Sequence, residues 1–214
     1  MPFLSTEELT TLGAPAELRD GSRVRIRQIR ASDEAQLLSG FKQLSSESRY
    51  RRFLAPAPEL TQSVVHYLVD VDHQDHEAMV ALDTQGKQGL GIARYVRDVE
   101  RPDTAELAVT VIDAWQGRGL GTLLLDVISA RARQEGIRTF TALMLAENRE
   151  MFELLEALGP VRIVDRSAGT VEVAVPIPAT GVPRGLRKLL RIAARHEVAV
   201  PLARGRAIKA APPP

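Results

Sequence analysis

The chain has 214 residues, enough for one domain with a tail, and its 44% hydrophobic and 26% charged residues suit a water-soluble domain with a real core. The absence of cysteine excludes disulfides, thiolate metal sites and a cysteine nucleophile and suits a cytoplasmic protein, while 4% aromatic residues are too few for a platform that stacks single-stranded nucleic acid. The net charge of +1 is divided unevenly: of 28 basic and 27 acidic residues, positions 181–214 hold eight and one, so residues 1–180 carry 20 against 26, a balance suited to a cationic substrate and not to a nucleic acid.

Residues 1–20 read as an N-terminal extension; MPFLSTEELTTLG has acidic residues and no apolar run, unlike a signal peptide. No apolar stretch approaches the roughly 20 residues that cross a bilayer. Alternation at Val24 and Ile26 predicts a half-buried strand over 22–29. Ser32 with Asp33 can cap a helix to about residue 44, with Ala35, Leu37, Leu38 and Phe41 facing inward. LSSESRYRRFLAPAP follows as a basic, proline-ended connection, and Thr61 caps a second helix carrying Val64, Val65, Leu68 and Val69. EAMVALD and GLGIARYVRDV predict a hairpin, TAELAVTVI (104–112) a third strand, and a helix runs from about 119 to 135 behind a glycine-rich turn. FTALMLA (140–146) is strand-like, NREMFELLEAL (148–158) helical, and VRIVDRS with TVEVAVPI closes as a hairpin. The order β-α-α-β-β-β-α-β-α-β-β predicts an α/β (α+β) domain over 21–178, with a mixed, mostly antiparallel sheet flanked by helices.

Residues 179–214 read as a basic tail. Leu186, Leu189, Leu190 and Ala193 have the spacing of a short amphipathic helix, with Arg187, Arg191 and Arg195 on another face. Such a helix can pack on its own body or on a dimer mate, or dock on a partner protein or an anionic surface.

The turn within DAWQGRGLGTLLLD (113–126) places Gly117, Gly119 and Gly121 at the start of a helix. Bare backbone N–H groups at a helix N-terminus favour a phosphate, which side chains would otherwise hold away; a turn kept small only for close packing is the alternative. No Lys-Ser/Thr pair follows, so the pattern is not a P-loop, and Thr122 stands where a dinucleotide fingerprint starting at Gly117 needs glycine. What remains, Gln116-x-x-Gly119-x-Gly121, resembles the pyrophosphate-binding motif of the GNAT superfamily of N-acetyltransferases. AENREMFELLEALG, about 30 residues on, resembles that family's second coenzyme A segment, and the order of elements over 22–178 matches as well. LSSESRYRRF (44–53), DHQDHEAMVA (72–81) and TAELAVTVIDAWQGRGLGTLL look like the acetyltransferase domain of bacterial Pat-type protein lysine acetyltransferases. Those enzymes are often fused to regulatory domains; the 20 or so residues before the first expected strand are too few for a nucleotide-binding module.

The resemblance implies acetyl-CoA as acyl donor and an amine, most simply a protein lysine, as acceptor. It implies that Gln116, Gly117, Arg118, Gly119, Leu120, Gly121 and Thr122 hold the pyrophosphate. Val111, Ile112 and Asp113 would pair strand-to-strand with the pantetheine arm, with an N–H near Val111 as oxyanion donor. Asn148 would touch the cofactor, or cap its helix, or both. Glu106, in AEL, would be the general base, and partial burial there would raise its pKa toward the working range; an outward-facing glutamate paired with a surface arginine is the alternative. Many family members place a tyrosine acid in the second segment, but the matching position is Leu155 and no tyrosine follows Tyr95. Asp70, Asp72, His73, Asp75, His76 and Glu77 have no metalloprotease or calcium-loop spacing, so they read as a polar loop shaping the acceptor cleft and no metal is expected. Arg49, Tyr50, Arg51 and Arg52 could meet substrate or the coenzyme's 3′-phosphate, or form a solvated basic turn. The leading expectation is an acetyltransferase acting on protein lysine. The others are a small-amine (polyamine or aminoglycoside-like) acetyltransferase and a non-catalytic acyl-CoA-binding regulator.

Overall fold

The computed structural model of the chain describes residues 13–55 and 59–178. In chain order these form β1 (Ala14–Glu17), β2 (Arg23–Gln28), α1 (Glu34–Lys42), α2 (Ser46–Phe53), α3 (Gln62–Val69), β3 (His76–Leu82), β4 (Gly89–Arg97), β5 (Thr104–Val111), α4 (Leu120–Gln134), β6 (Thr139–Leu145), α5 (Arg149–Glu156), β7 (Arg162–Ser167) and β8 (Thr170–Pro176). The strands make one sheet in the order β1-β2-β3-β4-β5-β6-β8-β7. Every pairing is antiparallel except β5 with β6. The mixed, mostly antiparallel sheet flanked by helices is the one expected from the pattern. The tail helix expected around 186–193 lies outside the described residues. No helix among the described residues is long and apolar enough to cross a membrane.

Period-two alternation assigns the two faces of the sheet. On β3, Met79 and Ala81 turn to the core under α4, where Leu120, Leu124, Leu125, Ile128 and Ala132 are buried. Ala78, Val80 and Leu82 turn the other way, to Ile29, Leu37 and Val69 on the side of α1 and α3. Glu77 is wholly buried between β3 and α4. It accepts from Arg131 Nε (3.1 Å), Gln28 Nε2 (2.7 Å) and its neighbour's amide (2.9 Å), and lies 2.8 Å from His73 Nδ1, so its lone pairs are filled.

Two elements differ from the expectation. Ala14–Glu17, inside the stretch read as an extension, is an edge strand paired with β2. Four residues with a proline carry too short a period to read, and the edge position tolerates Pro15. SESRYRRF, read as a connection, is α2, capped by the Ser45 hydroxyl, which accepts the Ser48 amide. The predicted cap at Asp33 is not made either. Its carboxylate takes both Arg27 Nη atoms (2.6 and 2.7 Å) and the Arg30 amide instead, and α1 follows from a 3-10 turn with Ala35 exposed. Thr61 does cap α3, through the Val64 amide.

Candidate active site

Strands β5 and β6 pair only where Thr104–Glu106 meet Thr139–Thr141. Both continue, to Val111 and Leu145, without pairing further, so the sheet splits beyond Glu106. On its other edge β5 stays zipped to β4 as far as Val111, and the Ile112 amide goes on to donate to the Leu90 carbonyl at 3.0 Å. Successive residues direct their N–H and C=O to opposite edges of a strand. Ile112 faces β4, so Val109 and Val111 face the split. The Val111 carbonyl there accepts from Gln116 Nε2 at 3.0 Å.

Ile112 and Asp113, expected to extend this edge, are engaged elsewhere. The Ile112 carbonyl accepts the Trp115 amide, which starts a 3-10 turn over Asp113–Trp115. The Asp113 carboxylate accepts the Ser45 amide (2.9 Å) and the hydroxyls of Ser45 (2.7 Å) and Ser48 (3.0 Å), tying the start of α2 to the end of β5. Burial works against the charge of Asp113, but these hydrogen bonds outweigh it and hold the pKa below the usual carboxylate range.

Gln116–Gly121 close the split. Gly117 (φ 72°) and Gly119 (φ 88°) both lie in the left-handed region, and Gly119 directly precedes α4. Leu120 is buried, which anchors the first turn. A side chain added at Gly121 would meet Leu154 at 3.7 Å and Val111 at 3.9 Å, so α4, α5 and β5 converge there. Thr122 is half-buried in the same turn. Arg118 stacks on Trp115 at 5.0 Å and lies 3.6 Å from Asp20. Arg19, which the sequence reading missed, lies over the turn: a Cβ at Gly119 would stand 3.4 Å from its Cγ and Cδ. No local signal could have found it, because the β1–β2 hairpin brings it from a hundred residues away. Asn148 caps α5, accepting the Met151 amide at 3.2 Å, at the far wall of the split, and Leu155 is fully buried.

Glu106 is exposed, so the partial burial expected of it is not found; it sits where the sheet begins to part. Alternation puts it with Ala108 and Thr110 on the face opposite α4. That face holds a pocket of about 740 Å³, its solvent mouth included, walled by Leu37, Phe41, Phe53, Leu68 and Ile92 and containing Arg52 and Arg94. Burial lowers the pKa of Arg52, against the field of the Glu106 carboxylate, which raises it. The other arginines of α2 diverge. Arg49 lies over the Phe41 ring at 4.5 Å, and Arg51 bridges Glu47 (2.6 Å) and Glu150 on α5 (3.1 Å). The acidic and histidine cluster is a folded turn: Asp72 Oδ1 accepts the amides of Gln74, Asp75 and His76. Among the described residues no three such side chains converge in a way that could hold a metal ion. His76 reaches the pocket by meeting Arg94.

The acetyltransferase (GNAT) domain family matches residues 23–161. Acetyltransferase Pat of Mycolicibacterium smegmatis is 34% identical over 172 residues, which are 79% of this chain and 50% of that protein. Acetyltransferase PA5475 of Pseudomonas aeruginosa is 35% identical over 144 residues, 66% of this chain and 77% of the relative. The solved GNAT domain of S. lividans PAT superposes with a TM-score of 0.70 at 34% identity, covering 77% of this chain and 96% of that one. The chain thus spans about half the length of the M. smegmatis protein. A sheet that splits beside a glycine-led helix, and a family match across most of that sheet, lead to one conclusion: the chain belongs to the GNAT family of acetyltransferases.

Proposed function

We propose that the chain transfers an acetyl group from acetyl-CoA to a protein lysine, with Glu106 as general base. The observation that carries this is the split beyond Glu106, where the backbone edge of Val109 and Val111 is turned toward unpaired space. An extended pantetheine arm fits such an edge as a strand would, with Gln116 releasing the Val111 carbonyl. At the end of the split, the turn Gln116–Gly121 and the N-terminus of α4 suit a pyrophosphate, with Arg118 and Arg19 as added cations.

At pH 7 only roughly one lysine amine in a few thousand is neutral, given a pKa of about 10.4. Glu106, exposed on the acceptor face, takes the ammonium proton directly or through a water. The freed nitrogen attacks the thioester carbonyl, and the Val111 N–H donates to the oxyanion. Collapse breaks the carbon–sulfur bond and expels the thiolate, whose pKa of about 8.5, taken as that of a cysteine thiol, lets it leave without a tyrosine acid, while the second proton of the attacking nitrogen passes to solvent as the amide forms.

The test is transfer of radiolabelled acetyl-CoA to cytosolic protein extract and, separately, to a panel of amines. Glu106→Gln is expected to lower kcat by about 10²–10⁴ and to leave the acetyl-CoA Kd nearly unchanged. Wild-type turnover in the variant removes Glu106 as base. A second reading, a small-amine acceptor, draws on the acidic excess of residues 1–180; label on amines and none on protein selects it. Binding of acetyl-CoA with no transfer to either selects a non-catalytic regulator.

A further inference from the structure

The pocket beside Glu106 combines apolar walls with two guanidinium groups, Arg52 and Arg94; the Glu106 carboxylate acts on Arg52, and Asp33, also in the wall, is taken up by Arg27. Arg94 is 5% exposed. Its Nη2 donates to the Leu68 carbonyl (3.1 Å) and to His76 Nε2 (2.5 Å), while its Nε and Nη1 are buried without a hydrogen-bond partner. Arg52 shares the pocket, stacks on Phe53 at 5.0 Å, and makes no hydrogen bond or ion pair among the described residues. The partner of Arg94, His76, is itself neutral near pH 7: burial first, and then the charge of Arg94, hold its pKa down to about 4. Burial, and then the charge of Arg52, hold Arg94 itself down to about 10. Glu106 offsets part of the Arg52 charge, but the charge and the open donors of Arg94 are disfavoured in an apolar wall until an anion joins them.

We propose that Arg52, with Arg94 behind it, forms a carboxylate subsite, and that this pocket takes, besides a protein lysine, a second class of acceptor: a small amine carrying a carboxylate on an apolar frame, of the size of a hydrophobic amino acid. The planar fork of Arg52 matches a carboxylate, and Phe41, Phe53, Leu37 and Ile92 suit a hydrocarbon side chain better than a polyamine. The spacing agrees. Arg94 stands opposite Ala108 across β4 and β5, two residues or about 7 Å along the strand from Glu106. An α-amino acid carries its ammonium and carboxylate on one carbon, so the ammonium can meet Glu106 while the carboxylate meets Arg52, which lies in the field of Glu106, with Arg94 further into the pocket. The inference rests on reading this face as the acceptor side and adds an amino acid-like amine to the protein lysine as an acceptor.

The test uses binding, so that it does not depend on turnover. The coenzyme A-loaded protein is titrated with 4-methylpentanoate and with its neutral isostere 4-methylpentanamide, followed by NMR or calorimetry. The carboxylate is expected to bind about tenfold tighter than the amide. Arg52→Met is expected to abolish that difference while the acetyl-CoA Kd stays the same, and Arg52→Lys to restore part of it. Equal binding of the two probes, no binding of either, or an undiminished preference in Arg52→Met overturns the subsite. Leucine and isoamylamine are then compared as acceptors, with the preference for leucine expected to vanish in Arg52→Met. Acetylation of lysine peptides, measured alongside, reports on Glu106 independently; peptide turnover with no carboxylate preference rejects this inference and leaves the proposed function standing.

Discussion

Gly119 is the residue where turn, helix and hairpin meet. Its φ of 88° is strained for any L-residue, and a Cβ there would touch the Arg19 side chain at 3.4 Å. Gly119→Ala is therefore expected to cost about 1–3 kcal/mol of stability and to weaken acetyl-CoA binding several-fold, measured by urea denaturation and by calorimetry. A loss of stability with an unchanged acetyl-CoA Kd would mean that the turn serves only the fold. The need for glycine was legible in the sequence, because three glycines before an amphipathic run have few other uses. The neighbouring residues were less legible. Asp113 reads as the end of a strand, yet its carboxylate holds Ser45, the cap of α2, and Arg19 carries no local mark at all. Side-chain partners across 68 or 100 positions leave no trace in a window of ten.

At the scale of elements, α2 is the one that the pattern hid. SESRYRRF has no apolar stripe, and its helix is held by Ser45 at its start and by the Asp113 carboxylate below. Because α2 also carries Arg52 and Phe53 into the pocket, the end of β5 and the acceptor wall are mechanically joined. Asp113→Ala should destabilise the protein by about 1.5–3 kcal/mol, the range for hydrogen bonds to a charged group, and should raise the KM for the acceptor more than the Kd for acetyl-CoA. Equal changes in both would show that the tie does not single out the acceptor side. Close backbone approach fixes the opposite end of the pocket: a Cβ at Gly89 would lie 2.8 Å from the Gln36 carbonyl, so α1 sits directly on β4.

At the scale of the whole molecule, the pH dependence of stability follows from where charges are buried. His76 has its pKa lowered from the usual 6.5 to about 4, first by burial and then by Arg94. Between those values the unfolded chain binds a proton that the folded chain refuses, so stability is full above about pH 6.5 and falls as the pH drops toward 4. Asp72 and Asp113 have lowered values despite burial, because amide and hydroxyl donors favour their charged forms; their contribution is lost only in more acidic solution. The urea midpoint of the wild type should thus decline from pH 7 to 4.5, and that of His76→Gln should decline less, since glutamine can accept from Arg94 without titrating. Parallel curves for the two proteins would remove His76 as the source.

The sequence by itself determined the alternation of strands and helices from β2 onward, α2 excepted, the glycine turn at the head of α4 and the family to which these belong. Each of those is written in neighbouring residues, as a period, a cap or a spacing. Only the tertiary structure decided that β5 and β6 part beyond Glu106, that Ile112 and Asp113 turn away from the opening, and that two arginines from α2 and β4 share one apolar pocket. Those features depend on which strands run out of partners and which buried charges are left unbalanced, quantities that exist only once distant segments are packed together.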